Sequence, residues 1–433
     1  MSNRSVVLTF VSVLLALDCG HAALGDELFA PAVHYGVGDR PNSVAIGDLD
    51  GDQSPDLVVA NAGTYPSFDG NVGVLLGISD GTFGAAVHYP AGDHPYCAAI
   101  GDLDGDQAPD LAVANRDSNN VSVLLGVGDG TFAAAVHYGA GNAPASVAIG
   151  DLDGDQVPDL AVANGNSDNV SVLLGIGDGT FGAAVHYPAS LGPSSVAIGD
   201  LDGDQSPDLA VANWFGIGDE ISVLLGIGDG TFRTAVHYPA GWSPTSVAIS
   251  DLDGDQVPDL AVANGDSHNV SVLMGIGDGT FAAAVDYAVG WGPSSVAIGD
   301  LGGDQSPDLA VASYQRDNVS VLLGIGDGTF RTAVPYAAGD GPRSVAIGDL
   351  DGDQTPDLAV ANRDSDNVSV LLHTPAIPGD LNGDRCVDQA DLGILLADWG
   401  CTGGNCPGDC DADGDTDSDD LGTLLAHWGE GCG

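Results

Sequence analysis

Asp151-Leu152-Asp153-Gly154-Asp155-Gln156-Val157-Pro158-Asp159, running on into Leu160-Ala161-Val162-Ala163-Asn164, is one of seven copies of a single phrase. The other copies open at Asp48, Asp102, Asp200, Asp251, Asp300 and Asp349. Aspartate at positions 1, 3, 5 and 9 makes a set of hard oxygen donors, which suits Ca²⁺ rather than zinc or copper. The candidate ligands are Asp48, Asp50, Asp52 and Asp56 in the first copy, Asp102, Asp104, Asp106 and Asp110 in the second, and Asp151, Asp153, Asp155 and Asp159 in the third. They continue as Asp200, Asp202, Asp204 and Asp208, then Asp251, Asp253, Asp255 and Asp259, and in the seventh copy Asp349, Asp351, Asp353 and Asp357. In the sixth copy Gly302 replaces the third-position aspartate and leaves Asp300, Asp304 and Asp308, so the weakest site is expected there. Position 7 varies from Ser54 to Val157 to Thr355, so only its backbone carbonyl can be a constant ligand. Two carboxylates about 4 Å apart repel by about 4 kcal/mol at an effective dielectric near 20. Metal bound in such loops is therefore expected to be caged, structural and a direct contributor to folding.

Outward from the loop, each copy holds four strand-like phrases, which in the third copy are 146–149, 159–163, 170–174 and 181–187. They are rich in Val, Leu and Ala and are bounded by Gly, Asp, Asn and Pro. A repeat of roughly 50 residues built from short strands indicates a β-propeller. Small residues in the first strand let seven sheets converge on an axis, and Gly-Asp-Gly-Thr before the fourth strand supplies a tight turn. Blades are expected to begin near Ser43, Cys97, Ser146, Ser195, Ser246, Ser295 and Ser344. The ends are out of phase: 29–35 reads as a fourth strand with no blade before it, and the last copy stops after 368–372. Ring closure removes exposed edges, so the N-terminal strand is expected to complete the seventh blade. The fold class read from these features is all-β, a seven-bladed propeller of four-stranded blades.

These phrases resemble the FG-GAP/VCBS repeat family, whose best-known members are the integrin α-subunit propellers. The resemblance covers about residues 26–372 and rests on Asp-Leu-Asp-Gly-Asp-x-x-Pro-Asp, Leu-Ala-Val-Ala-Asn and Gly-Asp-Gly-Thr-Phe. It implies calcium in the loop between the first two strands of each blade, and a recognition or adhesion role.

Composition narrows the function further. The formal charge of −53 excludes a nucleic-acid role, which needs a basic face. There is no lysine, so Schiff-base and P-loop chemistry are excluded. Arg4, an apolar run over 6–17 and small residues at 20–25 have the layout of a secretory signal peptide, taken as 1–23. That run is too brief to span a bilayer, so a secreted or cell-surface location is expected.

After a linker at 373–378 the composition changes. Asp380, Asn382, Asp384, Asp388 and Asp391 have EF-hand-like spacing, and Asp409, Asp411, Asp413, Asp417 and Asp420 follow as a second loop. Leu392, Leu395, Leu396 and Trp399 form one apolar helix face, repeated by Leu421, Leu424, Leu425 and Trp428, and the two faces are expected to bury on each other. This tail, about 379–429 within a domain at 379–433, resembles a type I dockerin and so implies a cohesin partner. The resemblance places the partner contacts at Gln389-Ala390 and Ser418-Asp419, which differ from the family's usual hydroxyl pair. Cys386, Cys401, Cys406, Cys410 and Cys432 imply disulfides in an exported module. Cys97 stands where six blades have serine and is expected to be a packed thiol.

No catalytic constellation is evident. Gly77-Ile78-Ser79-Asp80-Gly81 matches G-x-S-x-G, yet its context is strand-turn-strand rather than strand-turn-helix. The irregular residues gather on the connections opposite the aspartate loops: Tyr65, Phe68, Trp214, Phe215, Trp242, Trp291 and Tyr314, with Arg40, Arg116, Arg316, Arg343 and Arg363. Exposed aromatic and arginine side chains on loops mark recognition surfaces, and arginine pairs with carboxylate or sulfate. The expectation is a non-enzymatic module that binds a protein or an acidic glycan. The alternative is a polysaccharide-degrading enzyme or an accessory subunit of a cohesin–dockerin complex, with Asp219 and Glu220 as its only close acids.

Overall fold

The computed structural model describes residues 28–64, 70–214, 220–374, 387, 389–401, 406, 408–410 and 416–429. The expected signal segment, Tyr65, Phe68, Phe215, Asp219, Cys386, Cys432, Asp380, Asn382, Asp384, Asp388, Asp411 and Asp413 lie outside them. One compact unit spans Phe29–His373, and Thr374–Gly433 belongs to another.

The first unit consists of seven antiparallel four-stranded sheets, six in simple sequential order. The seventh is closed by the N-terminal strand: Val33–Gly36 pairs antiparallel with Asn367–Leu371, placing Tyr35 opposite Val368. The second strand of each blade, such as Asp159–Asn164, is buried along its whole length. It is covered on both faces, which explains the unbroken apolar run Leu-Ala-Val-Ala in the repeat.

First strands contact first strands around a closed ring, blade 7 against blade 1 included. Three features of the sequence produce that closure. Serine hydroxyls accept backbone N–H groups from the neighbouring blade, as in Val44 to Ser344 and Val196 to Ser146. Glycines ending the first strands lie under the next blade's isoleucine, and a Cβ on Gly348 would sit 3.2 Å from Ile46 Cδ1. Finally, each fourth-strand tyrosine meets a neighbouring phenylalanine edge-to-face, for example Tyr138 and Phe181 at 5.4 Å. Blade 7 keeps this last contact through Phe29, 5.2 Å from Tyr336, although it has no Gly-Asp-Gly-Thr turn. Cys97 takes the serine slot in blade 2, in no disulfide, with Sγ directed at Val147 O.

Two boundaries differ from the sequence reading. First strands begin at proline, as in Pro41–Gly47 and Pro342–Gly348, two residues ahead of the expected serine. The register shifts between that proline and the serine, because proline has no N–H to give the ladder and is tolerated at a bulge. Fourth strands are shorter than read. Phe181 makes only an isolated bridge to Gly175, and regular pairing is confined to Val185–Pro188.

In the C-terminal unit, α1 spans Gln389–Asp398 and α2 spans Ser418–Ala426. Val387, Leu395 and Leu424 form its buried cluster, with Leu392 and Leu421 packed beside them. The expected full burial of both apolar faces is corrected here: Leu396, Trp399, Leu425 and Trp428 are exposed. Leu396 and Leu425 sit about 100° around from the buried Leu395 and Leu424, while Trp399 and Trp428 follow the last residues of their helices. Cys401 is disulfide-bonded to Cys406.

Candidate functional site

The aspartate loops connect the first and second strands of each blade and share one end of the propeller with the Gly-Asp-Gly-Thr turns. Glycine at position 4 and glutamine at position 6 both adopt positive φ, 82° at Gly154 and 71° at Gln156. That reversal turns the loop back on itself. Asp48, Asp50 and Asp56 then offer carboxylate oxygens within 4.8 Å of one another. So do Asp102, Asp104 and Asp110, Asp151, Asp153 and Asp159, and Asp200, Asp202 and Asp208. At that spacing each pair repels by about 3 kcal/mol at an effective dielectric near 20, less where water enters. Three oxygens from positions 1, 3 and 9 fit a hard cation.

The fifth-position aspartates stand apart from these clusters. Asp52, Asp106, Asp155, Asp204, Asp255, Asp304 and Asp353 each accept the backbone N–H of position 7, at 2.7 Å for Ser54 and 2.8 Å for Val157. The ninth-position aspartate is the anchor. Asp159 is 1% exposed; its Oδ2 accepts the Leu152 N–H at 2.7 Å and its Oδ1 the Gly175 N–H at 2.7 Å, tying the loop to the third strand's end. Burial pushes the carboxyls of Asp56, Asp159, Asp208 and Asp357 up to about 6, while those backbone N–H groups oppose the rise. Burial likewise raises Asp110, Asp259 and Asp308.

The loops also touch the next blade. Asp50, Asp104, Asp153, Asp202 and Asp253 lie beneath the turn glycines Gly130, Gly179, Gly230, Gly279 and Gly328 of the following blade. The sixth loop would face blade 7, whose sequence has no Gly-Asp-Gly-Thr phrase, and there the third-position residue is Gly302. Without that side chain the Gly302 N–H donates to Asp308 Oδ2 at 2.7 Å, beside the Leu301 N–H. Sequence reasoning found the gap at 302 but not its coincidence with the closing blade.

In the C-terminal unit Asp391 and Asp420 are buried. Asp420 accepts the N–H groups of Cys410 and Asp417, completing a capping box at α2 with Asp417. Asp409 lies among the described residues, whereas its expected partners Asp411 and Asp413 do not.

At the opposite end of the propeller, on the axis, lies a cavity of about 280 Å³. Trp214, Tyr314, Arg116, Arg343 and Arg363 line it, joined by Tyr96, His94 and Asn42, which sequence reasoning missed. Arg343 sits 4.5 Å over the Tyr314 ring and Arg116 5.3 Å over Tyr96. The Tyr314 hydroxyl donates to Asp364 Oδ2 at 2.9 Å. Arg343 belongs to a first strand, not to a loop. Arg40, Arg343 and Arg363 are near enough that burial first, and then the charges of Arg343 and Arg40, lower the pKa of Arg363. Elsewhere on this end, Arg316 lies 4.9 Å over Trp291, which stacks on His268 at 5.4 Å, and Trp242 is 67% exposed. Glu220, one of the two acids of the enzymatic alternative, accepts the Ser190 hydroxyl and lies 3.7 Å from His237. Ser79 of the G-x-S-x-G phrase pairs its hydroxyl with Ser54.

No helix among the described residues is long and apolar enough to cross a membrane. No curated protein matches the chain. Among solved structures, BBS1N in complex with ARL6DN is similar at a TM-score of 0.57 and 14% identity, over 81% of this chain and 98% of that one. An Agrocybe aegerita lectin, described for its specific recognition of non-reducing terminal N-acetylglucosamine, is similar at 0.51 and 21% identity, over 74% of this chain and 85% of that one. Both likenesses are of fold. The FG-GAP-like repeat profile matches at 48–113, 102–162, 151–211, 207–262, 251–311 and 303–360. With matches running from the first aspartate loop to the last, the chain belongs to the FG-GAP-like repeat family.

Proposed function

We propose that the protein is a secreted or cell-surface, calcium-stabilised recognition module, which binds a protein or an acidic glycan with the end of the propeller opposite the aspartate loops. The observation that carries this reading is the separation of tasks between the two ends. One end repeats the same carboxylate clusters blade after blade, while the other collects Trp214, Trp242, Trp291 and the arginines. Calcium bound by positions 1, 3 and 9, with the fifth position and the seventh carbonyl completing the cage, would neutralise each cluster and leave no open coordination position for a substrate. The similarity to a lectin supports a glycan as one class of ligand. The C-terminal unit would tether the propeller through its paired acidic loops, with a cohesin-type domain as the candidate partner.

A glycan and protein array run in calcium and again in EDTA tests this function. Specific binding in calcium, lost on chelation and weakened by Trp242→Ala, is the expected result. Release of product from an arrayed polysaccharide would favour the enzymatic alternative.

A further inference from the structure

We propose that the axial cavity is a subsite for the acidic end of a saccharide, a sugar ring carrying one carboxylate beside free hydroxyls. The inference rests on the reading of this end of the propeller as a recognition surface. The chain has 62 acidic residues against nine basic ones, so an arginine without a carboxylate partner needs a reason. Among the described residues no arginine lies within 4.0 Å of a carboxylate oxygen. At the cavity, Arg343 and Arg363 hold buried Nε atoms with no protein acceptor. Leaving a charged donor unpaired and buried costs more than leaving a neutral one. An incoming carboxylate relieves both groups and gains charge-assisted hydrogen bonds.

A second group in the same cavity asks for a different partner. Asn42 is 6% exposed; its Nδ2 donates to Pro95 O at 3.2 Å, which fixes the amide orientation, and its Oδ1 has no donor. Ser194, Thr245 and Ser294 repeat that contact around the axis, each donating to the proline carbonyl of the next blade and keeping lone pairs free for a ligand hydroxyl. The cavity thus offers unpaired cationic donors beside unpaired acceptors, and a sugar acid presents the complement of both. Its volume of about 280 Å³ is at the lower limit for small-molecule pockets. The chain's charge of −53 would repel a polyanion, but a single carboxylate is screened beyond about 8 Å at physiological salt. Recognition of one acidic end group follows, rather than of a charged polymer along its length.

Titration calorimetry on the full chain in calcium buffer tests the assignment, using a disaccharide ending in glucuronic acid, its glucose-ended counterpart and N-acetyl-dialanine. The uronate is expected to bind at least about tenfold more tightly than either comparison ligand, the scale of one charge-assisted hydrogen bond. Arg363→Gln and, independently, Arg343→Gln should each weaken it by about tenfold to a hundredfold while the protein stays folded by its melting curve. Arg331→Gln, an exposed change at the aspartate-loop end, should leave it unaltered. Equal binding of the neutral sugar, equal binding of the peptide carboxylate, or indifference to both arginine changes would overturn the proposal. If neither sugar binds while the array still shows Trp242-dependent ligands, the subsite is refuted and the wider recognition reading stands.

Discussion

At one end of the propeller seven aspartate loops recur almost without change. At the other, the second residue of the first strand reads Asn42, Tyr96, Ala145, Ser194, Thr245, Ser294 and Arg343. Both sets are held by the same sheets, so the backbone does not cause the difference. Each loop is fixed by its own ninth-position carboxylate, and the first five also by the next blade's turn glycine, constraints those copies share. The axial slot carries no such shared constraint: Asn42, Ser194, Thr245 and Ser294 reach the neighbouring proline carbonyl, while Tyr96, Ala145 and Arg343 fill the same slot. On the proposed reading, constancy marks the stabilising end, and variation marks the end left free to recognise.

Chelation is the harshest way to break this contrast, because it acts on the loops alone. Each site held at a hundred times its Kd stabilises by about 2.7 kcal/mol. With several sites filled, EDTA is expected to lower the unfolding free energy by on the order of 10 kcal/mol, read by denaturant titration. An unchanged transition together with an unchanged bound-metal count would remove metal from the account. Next in size is Asp159→Ala, which leaves the buried N–H groups of Leu152 and Gly175 without acceptors. At about 1–3 kcal/mol for each orphaned donor, a loss of roughly 3 kcal/mol and of one bound calcium is expected.

Acidity sharpens the contrast through its sign. Burial holds the carboxyls of Asp56, Asp159, Asp208 and Asp357 at about 6 against an ordinary 3.8, so between those values the folded chain binds more protons than the unfolded one. In metal-free protein this contribution to stability is fully present below about pH 4 and is lost as pH rises through about 6. Calcium displaces the same protons and should reverse the slope. Melting curves across that window, with and without EDTA, decide the matter; a metal-free Tm that climbs with pH would count against the buried carboxyls.

Smaller effects test individual positions. A Cβ at Gly302 would meet Asp308 Oδ2 at 3.5 Å and Leu323 Cδ2 at 3.6 Å, ordinary contacts. Gly302→Asp is therefore expected to add one tightly held calcium by equilibrium dialysis and to raise stability by about 1 kcal/mol. Trp242→Ala, exposed and remote from the loops, should change stability by less than about 0.5 kcal/mol while weakening ligand capture. A large stability loss there would show that the two ends are not independent.

The seven blades, the loop positions and the closure by the N-terminal strand were legible in the sequence, because repetition reports its own phase and its own leftover half-units. Strand ends were less so. Pro41 shifts the ladder by a bulge, and Phe181 turns to pack on Tyr138 instead of extending its strand; both are contacts between residues the repeat pattern treats singly. The arginine-rich end was legible only as a list. Its cavity draws residues from six of the seven blades, and Asn42 and Tyr96 sit in first strands that read as small-residue segments. Aligning the second slot of that strand across all seven copies was the signal available.

The pairing of His34 with Ser369 joins residues 335 positions apart. Until the later of them has been synthesised, the nascent chain is an open arc with one unpaired border, and no amount of local stability can shut it. The latch then engages against blade 6 with neither a Gly-Asp-Gly-Thr turn nor a third-position carboxylate at the junction. If calcium fills the other loops as proposed, admission of the last partner can precede mineral loading at that joint, and the circle can lock without waiting for an ion.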